Sequence, residues 1–239
     1  MITLTHEEES RYQRQLIIPS VGPAGQEKLK RAKVMVVGAG GLGSPVLMYL
    51  AAAGVGTLGI VDPDEVRVSN LQRQILYITD DITRPKAEAA AEKISLINPL
   101  VTASAYPVRL GEDNAVDLLK GYDIAVDCTD NIASRYILSD ATRTAGIPMV
   151  YGAVSQFMGQ VTVFNYMGGP SYSDLFPEEM RRASDPDASE TGVIGVLPGI
   201  IGSYQACEVI KIITGAGEIL SGRLIQIDAL NLRSEIISF

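Results

Sequence analysis

Gly38-Ala-Gly40-Gly41-Leu-Gly43 has the spacing GxGxxG and stands between an apolar run, Val34–Val37, and an apolar segment, Ser44–Ala53. Glycines in such a turn let backbone approach a phosphate, and the free N–H groups at the start of the following helix attract an anion. Asp62 closes the next apolar run, where a carboxylate can accept both hydroxyls of a ribose. Together these point to an adenosine-containing ligand. The turn by itself does not separate a dinucleotide from ATP, and a glycine turn used for close helix–strand packing is the plain alternative. Further on, Ser69-Asn70-Leu-Gln-Arg73-Gln74 follows the run that Asp62 closes, Lys86 opens the next helix, and Asp130-Asn131 follows a later strand. In a doubly wound sheet these positions all face one crevice beyond the carboxyl ends of the strands. Two cations and a carboxylate there suit a triphosphate with Mg2+, because Arg and Lys neutralise phosphate charge and a hard cation takes oxygen ligands. Nicotinamide chemistry uses none of the three. Taken singly, Arg73 and Lys86 read equally well as solvated helix residues, and Asp130 as a cap for the helix beyond it.

Those side chains need a frame. Lys33–Val37, Thr57–Asp62, Thr102–Pro107, Asp123–Cys128 and Met149–Val154 are predicted strands, with helices predicted over Ser44–Ala53, Pro85–Ile97, Asn114–Lys120 and Ile132–Ala145. This alternation predicts an α/β fold: a doubly wound, mostly parallel Rossmann-like sheet with helices on both faces. After Gly159 the pattern changes, and Gln160–Tyr166, Arg223–Asp228 and Leu232–Ser238 predict antiparallel C-terminal strands that extend the sheet. Between them lie a polar loop, Met167–Thr191, and an apolar helix over Val193–Ile213 that Pro198 is expected to break. Helix-like Glu7–Gln15 and Gln26–Arg31 precede the first strand. The organisation expected is a single domain over 1–239, with a helical arm at 1–31, a nucleotide-binding core at 32–155, and an antiparallel extension with a crossover loop at 156–239.

The chain is 46% hydrophobic and 20% charged, with a formal net charge of −8, so it can fill a core and is not disordered. It lacks the positive field that non-specific nucleic-acid or anionic-membrane binding requires. Cys128 and Cys207 make no disulfide framework and suggest a reducing, cytoplasmic setting. The acidic segment Met1–Arg14 has no apolar signal-peptide core. Val34–Val61 carries no charge over 28 residues, long enough for a membrane span, but its glycines and Pro45 divide it into strand, turn, helix and strand.

Arg11-Tyr-Gln-Arg14-Gln, Val37-Gly-Ala-Gly-Gly-Leu-Gly-Ser44, Ile60-Val-Asp62, Ser69-Asn-Leu-Gln-Arg-Gln74, Pro85-Lys86 and Val126-Asp-Cys-Thr-Asp-Asn131 follow one another in order, with Gly192-Val-Ile-Gly and Ile201-Gly-Ser-Tyr-Gln-Ala206 after them. This series resembles the ThiF/MoeB/HesA family, relatives of the ubiquitin-activating enzymes that adenylate sulfur-carrier proteins. The resemblance implies that Asp62 holds the ribose, that Asn70, Arg73 and Lys86 hold the phosphates, and that Ser69, Gln74 and Asn131 join the glycines in the nucleotide site. It implies that Asp130 ligates Mg2+. It also implies that Arg14 reaches the ATP of a neighbouring subunit, hence a homodimer, and that Arg14, Arg73, Lys86 and Asp130 are catalytic. The implied reaction joins the C-terminal glycine carboxylate of a ubiquitin-like carrier ending in Gly-Gly to AMP, releasing pyrophosphate, in sulfur transfer for thiamine or molybdopterin biosynthesis. The segment 156–239 would receive the carrier. A C-terminal carboxyl group ionises at about 3.3 to 3.7, so no general base is needed; His6, the only histidine, leaves no relay.

The chain departs from the family pattern in two places. Many members bind a structural zinc with one Cys-x-x-Cys pair before a Leu-Phe-Pro segment and another near the C-terminus. Here Ser171-Tyr-Ser-Asp174 precedes Leu175-Phe-Pro177, and Phe239 is reached without a second pair. Such a site takes about four thiolate or imidazole ligands, so no zinc is expected. Some members place a cysteine that links covalently to the carrier or its sulfur donor just before Gly192-Val-Ile-Gly; this chain has Ala188-Ser-Glu-Thr191, and no covalent step is expected there. Cys128 and Cys207 both read as small buried hydrophobes. Two other readings stay open from sequence. One is an NAD-dependent oxidoreductase, which leaves Arg73, Lys86 and Asp130 without a task. The other is a nucleotide-binding regulatory module without turnover, suggested by the missing cysteines.

Overall fold

A computed structural model of the chain describes residues 4–182 and 192–239. Its strands are β1 (Lys33–Val37), β2 (Thr57–Val61), β3 (Thr102–Tyr106), β4 (Ile124–Asp127), β5 (Met149–Ser155), β6 (Met158–Phe164), β7 (Arg223–Asp228) and β8 (Arg233–Ser238). They form one sheet in the order β3-β2-β1-β4-β5-β6-β7-β8. From β3 to β5 the pairing is parallel, with Val36 of β1 opposite Ile60 of β2 on one side and Val126 of β4 on the other. β6, β7 and β8 add on antiparallel. The expected fold class is therefore the observed one.

The helices are α1 (His6–Arg11), α2 (Gln13–Leu16), α3 (Gly22–Arg31), α4 (Gly43–Ala53), α5 (Lys86–Ile97), α6 (Ala115–Leu119), α7 (Ile132–Ala145), α8 (Tyr172–Leu175) and α9 (Val196–Thr214). Side chains alternate across a strand, so the fully apolar β1 feeds two cores at once. Val34 and Val36 join Leu58 and Ile60 beneath α4, α5 and α9, while Met35 and Val37 join Ala125 and Tyr151 beneath α6 and α7.

Three local readings change. The N-terminal helix breaks at Tyr12, whose buried ring abuts Gly54 and whose hydroxyl accepts from Asn98 Nδ2 at 2.9 Å. Pro198 does not interrupt α9: it lies in the first turn, where a missing N–H costs no intrahelical bond. The expected polar loop contains α8, closed by Ser171 Oγ donating to Asp174 at 2.7 Å, and a 3-10 turn over Glu178–Arg182. Positions 188–191, where the loop cysteine is missing, lie outside the described residues.

By length and composition α9 could cross a membrane, yet here its Leu197, Ile201, Gln205 and Val209 are buried beneath α4 and against the sheet. Cys207 is a correction. It falls on the opposite side of the same helix, beside Tyr204, and is exposed, whereas Cys128 is buried as expected.

Candidate functional site

The order in which the chain adds strands reverses between the parallel neighbours β1 and β4, since β2 and β3 lie to one side of β1 and β4 and β5 to the other. Connections leaving those two carboxyl ends diverge and open a crevice. A cavity of about 750 Å³ occupies it, and Gly38, Gly40, Gly41, Asp62, Arg73, Gln74, Lys86, Asp130 and Asn131 all line it. Gly43, Ser69, Asn70 and Arg14 do not.

The glycine turn is held tightly. Gly38 has φ +94°, and a Cβ there would lie 2.5 Å from the Cys128 carbonyl oxygen. At Gly43 a Cβ would lie 2.1 Å from the Gly38 carbonyl oxygen, so its absence lets α4 close onto the turn. Gly43→Ala is expected to lower stability by about 1 to 3 kcal/mol by overpacking and to weaken ATP binding as the turn shifts. A denaturant midpoint and an ATP titration measure both, and an unchanged pair would contradict this packing.

Asp62 and Tyr77 brace the turn through Ala39: the Ala39 N–H donates to Asp62 Oδ2 at 2.8 Å, and the Tyr77 hydroxyl donates to the Ala39 carbonyl at 2.7 Å. Asp62 Oδ1 accepts from the Asp64 N–H at 2.9 Å. A carboxylate has about four acceptor sites, so each oxygen keeps one for a ribose hydroxyl. Burial pushes the Asp62 carboxyl above the usual carboxylate range, opposed by the charge of Lys86 and the two backbone donors.

The two phosphate-binding candidates differ in their surroundings. Lys86 Nζ is buried between acids, 3.0 Å from Asp64 and 4.0 Å from Asp62. Arg73 donates to the Ser69 carbonyl at 3.2 Å and has no ion-pair partner among the described residues. Asn70 turns its Oδ1 to the Arg67 N–H at 3.0 Å, so in this structure Ser69 and Asn70 frame the Arg73 segment. Gln74 is buried and its Oε1 meets no donor among the described residues, which suits a wall completed by a ligand hydroxyl or water.

Asp130 is exposed to the crevice. Asn131, not Asp130, caps α7, its Oδ1 accepting from the Ser134 N–H at 2.9 Å. The Asp130 carboxylate is thereby left to the cavity, a hard oxygen donor beside the place for phosphates. Arg14 is exposed on α2, away from the lining. Burial pushes the Cys128 thiol far up, which keeps it protonated and inert.

Sequence reasoning passed over Asp64, Tyr77 and Arg135, and gave Gln205, which lies in the Ile201–Ala206 motif, no role of its own. Gln205 Nε2 donates to the carbonyls of Asp127 at 2.7 Å and Val150 at 3.3 Å, pinning α9 to the ends of β4 and β5. A lone amide in an apolar helix was the available signal. Asp64 and Tyr77 carried none, because their partners are chosen by packing.

A sheet of this order with a glycine turn at its point of reversal defines a Rossmann-like nucleotide-binding α/β protein. The ThiF family model matches residues 12–238, and the chain belongs to that family. It is 51% identical over 231 residues to the sulfur carrier protein adenylyltransferase of Thermus thermophilus, covering 95% of this chain and 85% of that one. It is 48% identical over 239 residues to the probable adenylyltransferase/sulfurtransferase MoeZ of Mycobacterium tuberculosis, covering 98% of this chain but 61% of that longer protein. The crystal structure of E. coli MccB with ATP shares the fold, with a TM-score of 0.82 at 21% identity, over 98% of this chain and 72% of that one.

Proposed function

We propose that this chain is an ATP-dependent adenylyltransferase that activates the C-terminal glycine carboxylate of a ubiquitin-like sulfur-carrier protein ending in Gly-Gly. The observation that carries the reading is the convergence of the glycine turn, Asp62, Arg73, Lys86 and Asp130 on one crevice. Family membership and the Thermus thermophilus relative support it. An oxidoreductase would leave two cations and a free carboxylate facing the cofactor without a role. A purely regulatory module would leave the set of charged groups that the reaction needs without a use.

The reaction needs positioning and charge neutralisation. Asp62 takes the ribose, the backbone of Gly38–Gly41 receives the phosphates, and Arg73 and Lys86 stabilise charge that builds at the α-phosphate. Lys86 exchanges the carboxylate of Asp64 for phosphate oxygens. Asp130 would hold Mg2+, which neutralises phosphate charge when bound. The carrier carboxylate, already ionised, forms a bond to the α-phosphorus as the bond to the β-phosphate oxygen breaks, and pyrophosphate leaves with the electron pair. No proton moves.

The remainder of the reading is a single domain over 1–239, a cytoplasmic location, a homodimer in which Arg14 completes the partner's site, and service to thiamine or molybdopterin biosynthesis. The carrier docks on the extension at 156–239, where β8 is an exposed edge strand that carries the apolar Ile236 and follows the apolar Leu232. The test is ATP–pyrophosphate exchange with a panel of ubiquitin-fold carriers ending in Gly-Gly. Exchange that depends on one of them is expected, and none with any carrier refutes the reading.

Zinc plays no part in it. Elemental analysis of the purified protein is expected to find less than stoichiometric zinc, since the Ser171–Asp174 turn satisfies itself where relatives carry thiolates. One zinc per chain would refute this.

A further inference from the structure

The crevice has a second flank. Beyond β4 and β5 it is walled by Thr129, Ser134, Val154, Ser155 and Arg135, apart from the side that Asp62 and Lys86 occupy beyond β2. Arg135 is fixed in orientation there. Its guanidinium lies over the Tyr151 ring, 5.6 Å from the centroid, and donates to the Thr129 carbonyl at 3.4 Å. Yet its Nε is buried and meets no acceptor among the described residues. Asp127, buried at the end of β4, attracts it electrostatically; Oδ1 of that carboxylate accepts from the Thr129 N–H and hydroxyl at 3.0 and 2.7 Å, and its Oδ2, like Arg135 Nε, is buried without a hydrogen-bond partner among the described residues. The result is a charged, planar guanidinium at a cavity wall, held in orientation by Tyr151, the Thr129 carbonyl and Asp127.

Adenylation brings two anions together, a carboxylate and the α-phosphate. Their repulsion is large in a recessed site unless a cation lies on the acyl side as well as the phosphate side. A guanidinium suits this, because its planar fork matches a carboxylate. We propose that Arg135 binds the C-terminal carboxylate of the carrier, donating to one oxygen while the other attacks the α-phosphorus. The bond changes are those given above, and Arg135 keeps its proton throughout. This assignment rests on the adenylyltransferase reading and adds the acyl subsite to it.

The test uses the carrier that supports exchange, prepared with a free C-terminal carboxylate and as the C-terminal amide. Calorimetry measures the binding of each to enzyme loaded with α,β-methylene ATP and Mg2+. Wild type should prefer the carboxylate form by about tenfold or more, the worth of a hydrogen bond to a charged group. Arg135→Gln should bind both forms alike with ATP affinity unchanged, and Arg135→Lys should recover part of the preference. Undiminished preference in Arg135→Gln overturns the proposal. So does a fall in ATP affinity with the preference intact, which would make Arg135 a phosphate ligand. If Arg135→Gln does not fold, Arg135→Lys decides: a reduced preference supports the assignment, and an unchanged one overturns it. If no carrier supports exchange with wild type, the adenylyltransferase reading itself has failed and this proposal falls with it.

Discussion

Arg73→Ala and Asp130→Ala should each reduce carrier-dependent ATP–pyrophosphate exchange by about a hundredfold to a thousandfold, the cost of removing one positioned charge from a reacting centre. The structure makes these two the cleanest choices. Among the described residues the Arg73 side chain makes one hydrogen bond, to the Ser69 carbonyl, and Asp130 is exposed, so neither side chain holds the fold together. Their removal should change stability by no more than about 0.5 kcal/mol. A thermal melt beside the exchange assay therefore separates lost chemistry from lost structure. Near wild-type exchange in either variant would sink its assignment. Lys86→Ala is a poorer probe, because it leaves Asp62 and Asp64 facing each other without the cation between them and disturbs the ground state as well as the reaction.

Arg14→Ala protein and Arg73→Ala protein, each inactive by itself, should recover activity when mixed under conditions that exchange subunits. If Arg14 serves the neighbouring subunit, a mixed dimer holds one intact site and one doubly defective site. With half of the dimers mixed, recovery reaches about a quarter of wild-type activity. The motivation is geometric: Arg14 is exposed on α2 and does not line its own chain's crevice. The helix carrying it is firmly based, since the neighbouring Gln15 donates to Gln26 Oε1 at 2.7 Å and to the Ala53 carbonyl at 3.2 Å. No recovery despite verified subunit exchange would remove Arg14 from any shared site and leave the dimer without a mechanistic reason.

Much of this was readable in order along the chain. A strand buried on both faces must be apolar without alternation, which made β1, β2 and β4 legible. A turn that needs backbone close to backbone must be glycine, which made Gly38 and Gly43 legible. Once strand order follows from those elements, residues just beyond the strand ends converge on the crevice, and Arg73, Lys86 and Asp130 do so. Roles that depend on partners far away in sequence were not legible. Asp62 braces Ala39, 23 positions earlier, and Gln205 reaches Asp127, 78 positions away. Cys207 was misread because α9 is apolar on most sides, so its pattern does not mark which side meets solvent; packing against α4 and the sheet decided that. Arg135 carried no signal in the sequence, because only folding sets it over Tyr151 at the cavity wall. Burial periodicity and glycine sterics are local and are written in the sequence, whereas hydrogen-bond partners and the direction a charge faces are settled only when distant elements close on one another.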